Sequence, residues 1–196
     1  MAGEGHAPPA LLAEWIDAEW SPQTPSQAGP EATMPTPIPL LQQREIEANV
    51  IAPLVRAFAA EVGDDRAREI VAGVIRDLAR EAGCAATSLV GGNDLPALKQ
   101  VVENWRAGGA LELTVLRDDP DGLDFDVTHC RYAEMYRRLG LTDLGPILSC
   151  SRDAAMIEGF NPSIALTRTQ TLMEGATHCD FRYRRRAETC TSHSQE

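Results

Sequence analysis

The sequence has 196 residues and a mass of 21.3 kDa, with 18 basic and 29 acidic residues and a formal net charge of −11. This length fits one domain, and the 43% of apolar and 24% of charged residues exclude a wholly disordered or fibrous chain. The acidic balance argues against nucleic-acid binding, and no apolar run approaches the roughly 20 residues that span a bilayer.

The first segment, residues 1–37, is predicted to be a proline-rich arm. Eight of the thirteen prolines lie within residues 1–39 and prevent a regular element over most of that stretch. Apolar residues at near-helical spacing still predict a short amphipathic helix in the arm: Leu12, Trp15, Ile16 and Trp20. This helix would pack on its own domain or dock on a second subunit. No basic or apolar signal region precedes it, so we expect a cytoplasmic protein without a secretory signal.

A helix is predicted to follow from about residue 40. It carries one apolar stripe of residues spaced four apart: Ile46, Val50, Leu54, Phe58 and Val62. Pro53 lies within the stripe and predicts a kink, or a break just before it, because proline lacks the amide hydrogen that a helix interior requires.

Two more helices are predicted before residue 110. Asp64 or Asp65 would cap the second helix, and Gly83 would end it. Asn93 or Asp94 would cap the third helix, which a pair of glycines closes.

After Gly109 the apolar pattern changes from helical to alternating. Residues 111–129, with an Asp- and Gly-rich turn in the middle, predict a β-hairpin. Short helices are predicted over 131–139 and 151–159, and a second hairpin over 164–184.

These elements predict an α+β fold, with N-terminal helices packed on an antiparallel sheet of about four strands. The sheet would be built from two hairpin-plus-helix units. We expect a single domain over 38–186 and a frayed polar tail over 187–196.

Five cysteines, an odd number, predict free thiols rather than a disulfide framework. Cys130, Cys150 and Cys179 lie at the ends of predicted elements. A thiol at a helix N-terminus is expected to have a lowered pKa and to be more nucleophilic, which favours Cys130 and Cys150. Cys84 and Cys190 have no such position.

Polar side chains near these cysteines complete the prediction of a thiol-based hydrolytic site. Asp153 lies three residues after Cys150, where it can cap the helix or accept a proton. His178 is a candidate general base, although His178 and Cys179 should point to opposite faces of a strand. Arg168 fits either a structural ion pair or a bidentate contact with a substrate carboxylate.

Thr169, beside Arg168, and Asp180, on the same strand face as His178, are further candidate substrate-binding residues. No CxxC, HxxxH or HExxH spacing is present, so we predict neither a metal nor another cofactor. Zinc held by scattered cysteine and histidine ligands is the alternative.

Three segments resemble the L-2-amino-thiazoline-4-carboxylic acid hydrolase family: FDVTHCRYAEMY (125–136), LSCSRD (148–153) and RTQTLMEGATHCDFRY (168–183). The likeness extends over residues 38–185. It implies hydrolytic opening of a cyclic thiazoline amidine to N-carbamoyl-L-cysteine.

The leading hypothesis is a cofactor-independent hydrolase that opens a small cyclic amidine or amide bearing a carboxylate. Cys150 is the first choice of nucleophile and would attack the ring C=N or C=O carbon, with Cys130 and Cys179 as rivals. Asp153 would orient or protonate the substrate, and Arg168 would bind the substrate carboxylate. Direct attack by water would give the same product.

A second resemblance, to vinyl-4-reductase-type ligand-binding domains, implies a non-catalytic small-molecule sensor, often dimeric and sometimes zinc-bearing. Where such a domain has an acidic residue and a further cysteine, this chain has Arg168 and Thr171. Cys150 and Cys179 would correspond to the other two zinc ligands, which leaves half a ligand set. We therefore expect a small-molecule ligand and a homodimer.

A third hypothesis is an accessory protein whose arm docks a partner enzyme.

Overall fold

The computed structural model describes residues 38–186, so the predicted arm over 1–37 and the predicted tail over 187–196 lie outside the described residues. The described part contains five α-helices and four β-strands in this order: α1 (Leu40–Val62), α2 (Asp64–Val90), α3 (Leu95–Arg106), β1 (Leu111–Asp119), β2 (Gly122–Cys130), α4 (Arg131–Arg138), α5 (Arg152–Phe160), β3 (Ile164–Thr167) and β4 (Cys179–Arg185).

The strands form one antiparallel sheet in the order β1-β2-β4-β3, which confirms the predicted α+β class with its two hairpins. In the register of the central pair, Phe125 lies opposite Phe181 and Val127 opposite Cys179. The two phenylalanine rings stack with their centroids 4.9 Å apart. The second hairpin differs from its prediction, because β3 ends at Thr167 and residues 168–178 form a long connection without strand structure.

The two faces of the sheet differ in chemistry because side chains alternate along each strand. The face toward the helices carries Phe125, Val127, Phe181 and Tyr183, all buried. The opposite face carries ion pairs between neighbouring strands, such as Arg182 Nη2 donating to Asp126 at 2.7 Å. The helices therefore cover one face only, and any cavity within the core lies on that side.

Helices α2 and α5 approach each other closely, and this approach depends on two glycines. A Cβ added at Gly83 would lie 2.0 Å from the Met156 carbonyl oxygen, and one added at Gly159 would lie 2.0 Å from the Arg80 carbonyl oxygen. Gly83 does not end the second helix as predicted, since α2 continues to Val90. A glycine in a helix interior costs conformational freedom, but here it permits backbone contact with a neighbouring helix.

The apolar stripe of α1 is not the face that α1 buries. Its buried residues are the smaller Ala48, Ala52 and Val55, which pack toward α2 and α4. Eight large apolar residues of α1 and α2, named here the exposed stripe, are 45–59% exposed: Ile46, Val50, Leu54, Phe58, Val62, Ile70, Val74 and Leu78. The expected break at Pro53 is absent, because α1 is continuous through that exposed residue.

Within residues 38–186, none of the helices has the length and hydropathy that a membrane span requires.

Candidate functional site

A cavity of about 580 Å³ lies where two hydrophobic clusters meet. One cluster joins the covered face of the sheet to α3 and α5, and the other joins α1 to α4. A volume of this size suits a small molecule. Five of the predicted site residues line the cavity: Cys130, Cys150, Asp153, Arg168 and Cys179.

Three separate elements position the three thiols. Cys130 ends β2 and caps α4, where its Sγ accepts a hydrogen bond of 3.4 Å from the Ala133 amide. Cys150 ends the π-helical turn Pro146–Cys150 that precedes α5. Cys179 begins β4, and its Sγ accepts a 3.2 Å hydrogen bond from the amide of Leu172. The fold therefore brings together sulfur atoms from distant parts of the sequence.

Burial controls the pKa of these thiols, and the expected lowering by helix N-termini is wrong. Removal from water raises the pKa of Cys130 to about 11, despite the hydrogen bond from Ala133. Burial also raises the pKa of Cys179, and raises that of Cys150 still further, with the nearby charge of Asp153 acting in the same direction. All three thiols are consequently protonated at neutral pH, because desolvation outweighs the helix dipole.

Asp153 and Arg168 form an ion pair in the wall of the cavity. Arg168 Nη1 donates to Asp153 Oδ2, Nη2 donates to the Cys150 carbonyl at 3.1 Å, and the guanidinium lies 5.3 Å from the centroid of the Phe181 ring. Burial raises the pKa of the Asp153 carboxyl to about 6, although the charge of Arg168 opposes this shift. A carboxyl group with such a pKa can exchange a proton near neutral pH.

His178, Thr169 and Asp180 lie outside this cavity, and the structure does not bring them to the thiols. His178 and Asp180 do share a face, but it is the charged face of the sheet, opposite Cys179. The Asp180 carboxylate accepts hydrogen bonds from the amides of Thr169 and Gln170, both at 2.9 Å, and from the Thr169 hydroxyl at 2.7 Å. Asp180 thus holds the connection between β3 and β4 in place.

Two further arginines line the cavity and were not among the predicted site residues. Arg152 precedes Asp153 within the LSCSRD segment, so its position in that motif was an available signal. Arg44 lies on α1, far from any motif, and no local pattern distinguishes it from a surface arginine. Both contact Glu47, with Arg44 Nη1 at 2.6 Å and Arg152 Nη2 at 3.2 Å from its Oε2.

The described residues contain no set of three or more His, Cys, Asp or Glu side chains that could hold a metal ion. Thr171 caps the turn that follows it. Its hydroxyl accepts a 3.2 Å hydrogen bond from the Glu174 amide and donates one of 2.7 Å to the Glu174 carboxylate.

The sequence profile of the L-2-amino-thiazoline-4-carboxylic acid hydrolase family matches residues 43–183. The chain belongs to this family. The part of the chain that matches the L-2-amino-thiazoline-4-carboxylic acid hydrolase family contains every cavity-lining cysteine, aspartate and arginine named above.

No curated protein matches this family member. Among solved structures, the crystal structure of the phenol-responsive sensory domain of the transcription activator PoxR with phenol is similar to it, with 14% sequence identity and a TM-score of 0.45. That alignment covers 69% of this chain and 73% of the other.

Proposed function

We propose that the protein hydrolyses a small ring of the amidine or amide type that bears a carboxylate, such as L-2-amino-thiazoline-4-carboxylate. The observation that carries the proposal is the convergence of three thiols and the Asp153–Arg168 pair on one cavity. Membership in a family named for this hydrolysis supports the choice of substrate class.

In the proposed reaction, Cys150 Sγ adds to the carbon of the ring C=N bond. Because the pKa of Cys150 is raised, its thiol is protonated before the reaction, and a base has to accept the thiol proton during the attack. Asp153, one turn further along the chain, is our choice for that base, because its charge already acts on Cys150. The bond from this carbon to the ring sulfur then breaks, the sulfur leaves as a thiol, and water displaces Cys150 to release the carbamoyl product.

The test is a turnover assay on L-2-amino-thiazoline-4-carboxylate and related cyclic amidines and amides, with ring opening followed by the mass gain of one water. We expect the wild-type chain to open the ring and Cys150→Ala and Cys150→Ser to lose at least 100-fold in kcat, a magnitude on the scale of removing a catalytic proton-transfer or nucleophilic group. Cys84→Ala is the matched control, since Cys84 is exposed and lies outside the cavity.

Full turnover by Cys150→Ala would assign the attack to water, with Asp153 as its base, and would remove Cys150 as nucleophile. Corresponding replacements of Cys130 and Cys179 test the two rival thiols. Absence of turnover on every ring tested would contradict the hydrolase proposal itself.

A second candidate is a non-catalytic domain that binds a small apolar or aromatic molecule. The apolar part of the cavity wall favours it: Ala82, Ala86, Leu89, Val101 and Trp105 all lie there. Tight binding of an aromatic ligand without any ring opening would support this function over the first.

We also propose that the protein is a homodimer joined through the exposed stripe. Eight large apolar side chains about half exposed on two packed helices exceed what a monomer ordinarily leaves in water. Their combined area is on the order of the 800 Å² that each partner buries in a standard interface. A second copy of the same chain offers an equal apolar surface, as a two-fold symmetric interface requires.

A further inference from the structure

The charge of the cavity wall is opposite in sign to that of the whole protein. The chain has a net charge of −11, yet the charged side chains that line the cavity are three arginines and one aspartate. Glu47, which contacts Arg44 and Arg152, is the second carboxylate of the group. Three guanidinium groups against two carboxylates leave one positive charge uncompensated.

Arg168 does not supply that free charge, because it is paired one-to-one with the Asp153 carboxylate. Its two terminal nitrogens donate to the Asp153 carboxylate and to the Cys150 carbonyl. One face of its guanidinium lies over the Phe181 ring. A ligand carboxylate that bound Arg168 would therefore compete with Asp153 for its charge.

Arg44 and Arg152 share a single carboxylate. Arg44 Nη1 lies 2.7 and 2.6 Å from the two oxygens of Glu47, and Arg152 Nη2 lies 3.2 Å from one of the same oxygens. Arg152 Nε donates to the Leu148 carbonyl at 2.8 Å, which fixes the direction of its side chain. Both guanidinium groups are largely buried, with side-chain exposures of 17% and 14%.

Two buried cations that share one anion repel each other, and a second anion between them would relieve the repulsion. Burial lowers the pKa of the Arg152 guanidinium and the charge of Arg44 lowers it further, with Glu47 only partly opposing them. Arginine is suited to such a site because its planar fork matches the two oxygens of a carboxylate.

We infer that Arg44 and Arg152 form the carboxylate-binding subsite of the cavity, with Glu47 as the single carboxylate that they share and that competes with the ligand for their charge. The inference rests on the proposed function in its choice of a ring that bears a carboxylate. It moves substrate-carboxylate recognition from Arg168 to a pair of arginines on α1 and α5. Arg168 then pairs with the Asp153 carboxyl and holds the backbone at Cys150 through its carbonyl.

The test measures binding rather than turnover and uses the full chain. Two probes, L-thiazolidine-4-carboxylate and its neutral carboxamide, are each titrated by calorimetry. The wild-type protein is expected to prefer the acid. Arg44→Gln should weaken binding of the acid about 10- to 100-fold, as expected for loss of a charged hydrogen bond, and leave the amide within about twofold. Arg56→Gln is the control, because Arg56 lies on the same helix but pairs with Asp143 at the surface.

Glu47→Gln gives the decisive result, because it removes the competing anion. The inference predicts that this variant binds the acid several-fold more tightly, whereas a residue needed only for folding would weaken both probes when replaced. Arg152→Lys, which keeps the charge, should retain part of the preference for the acid.

Any of these binding results would overturn the inference: no preference for the acid in the wild-type protein, equal weakening of both probes by Arg44→Gln, no tighter binding of the acid by Glu47→Gln, or loss of the preference in Arg168→Lys alone. Failure of the proposed function is distinguishable from these. In that case L-thiazolidine-4-carboxylate would bind with the predicted pattern while L-2-amino-thiazoline-4-carboxylate stays intact. If the ring is opened but its KM is unchanged in Arg44→Gln, the function stands and the subsite is wrong.

Discussion

The protonation of each residue in the cavity depends on how far that residue is removed from water. Burial favours the neutral form of an acid, so the thiols of Cys130, Cys150 and Cys179 and the carboxyl of Asp153 all have raised pKa values. Asp153 alone is shifted to a pKa, about 6, at which both forms are populated near neutrality. At the residue scale, Asp153 is therefore the group best suited to move a proton.

This pKa predicts the pH dependence of the proposed reaction. Asp153 accepts a proton only when it is ionised, so kcat/KM should fall below about pH 6 and reach a plateau above it. Asp153→Asn should lose most of the activity. The activity that remains should no longer fall at acid pH. Rate measurements between about pH 5 and pH 8 test this.

Asp77→Asn is the control for this profile, because Asp77 is an exposed residue of α2 and lies outside the cavity. A wild-type profile that is flat through pH 6 would contradict the role of Asp153 as base.

At the scale of elements, the position of α5 is defined by its crossing with α2. Gly83 and Gly159 allow the two backbones to touch, which places Asp153 and Arg152 at the wall of the cavity. A side chain at either glycine would separate the helices. Stability and the geometry of the site consequently depend on the same contact.

Alanine substitutions at this crossing should destabilise the fold. Gly83→Ala and Gly159→Ala would each bring a methyl group to about 2.0 Å from a carbonyl oxygen, so we expect a loss of about 1–3 kcal/mol or more in the free energy of unfolding. Urea denaturation measures it.

Gly73→Ala is the matched control on α2, since a Cβ there would meet nothing within 4 Å. It should stabilise the helix by up to about 1 kcal/mol. The same response at Gly73 and Gly83 would contradict the close crossing.

At the scale of the whole molecule, two hydrophobic clusters fill the interior, and the exposed stripe places further large apolar side chains on the outside. The interior is complete, because the helices cover the inner face of the sheet. The exposed stripe on α1 and α2 has no partner among the described residues, and homodimer formation is the proposed way to cover it.

The homodimer predicts a solution mass of about twice the 21.3 kDa of one chain, measurable by sedimentation. Leu54→Glu and Val74→Glu each place a charge in the exposed stripe and should give monomers, because burial of an unpaired carboxylate is costly. Leu116→Glu is the control, as Leu116 is 56% exposed but lies on β1. A monomeric wild-type chain at micromolar concentrations would contradict the proposal.

Much of the architecture was predictable because local sequence patterns report local structure. Alternation over 111–129 predicted the first hairpin, and Asp94, one of the two caps predicted for α3, accepts a hydrogen bond from the Ala97 amide there. The same patterns were misleading at Gly83 and along the apolar stripe of α1. A glycine considered by itself predicts a helix end, and a stripe of large apolar residues predicts a buried face. Contact with a neighbouring helix can give either feature a different role.

The sequence by itself therefore determined the helices between residues 40 and 160, the first hairpin and the three cysteines that mattered most, since periodicity, capping and motif spacing act over short stretches of chain. Only the tertiary structure decided that those cysteines share a cavity, that Arg168 is bound to Asp153, and that Arg44 lies beside Arg152. Burial and ion pairing arise between residues far apart in the chain. The charge and pKa of the site consequently follow from packing, which no local pattern records.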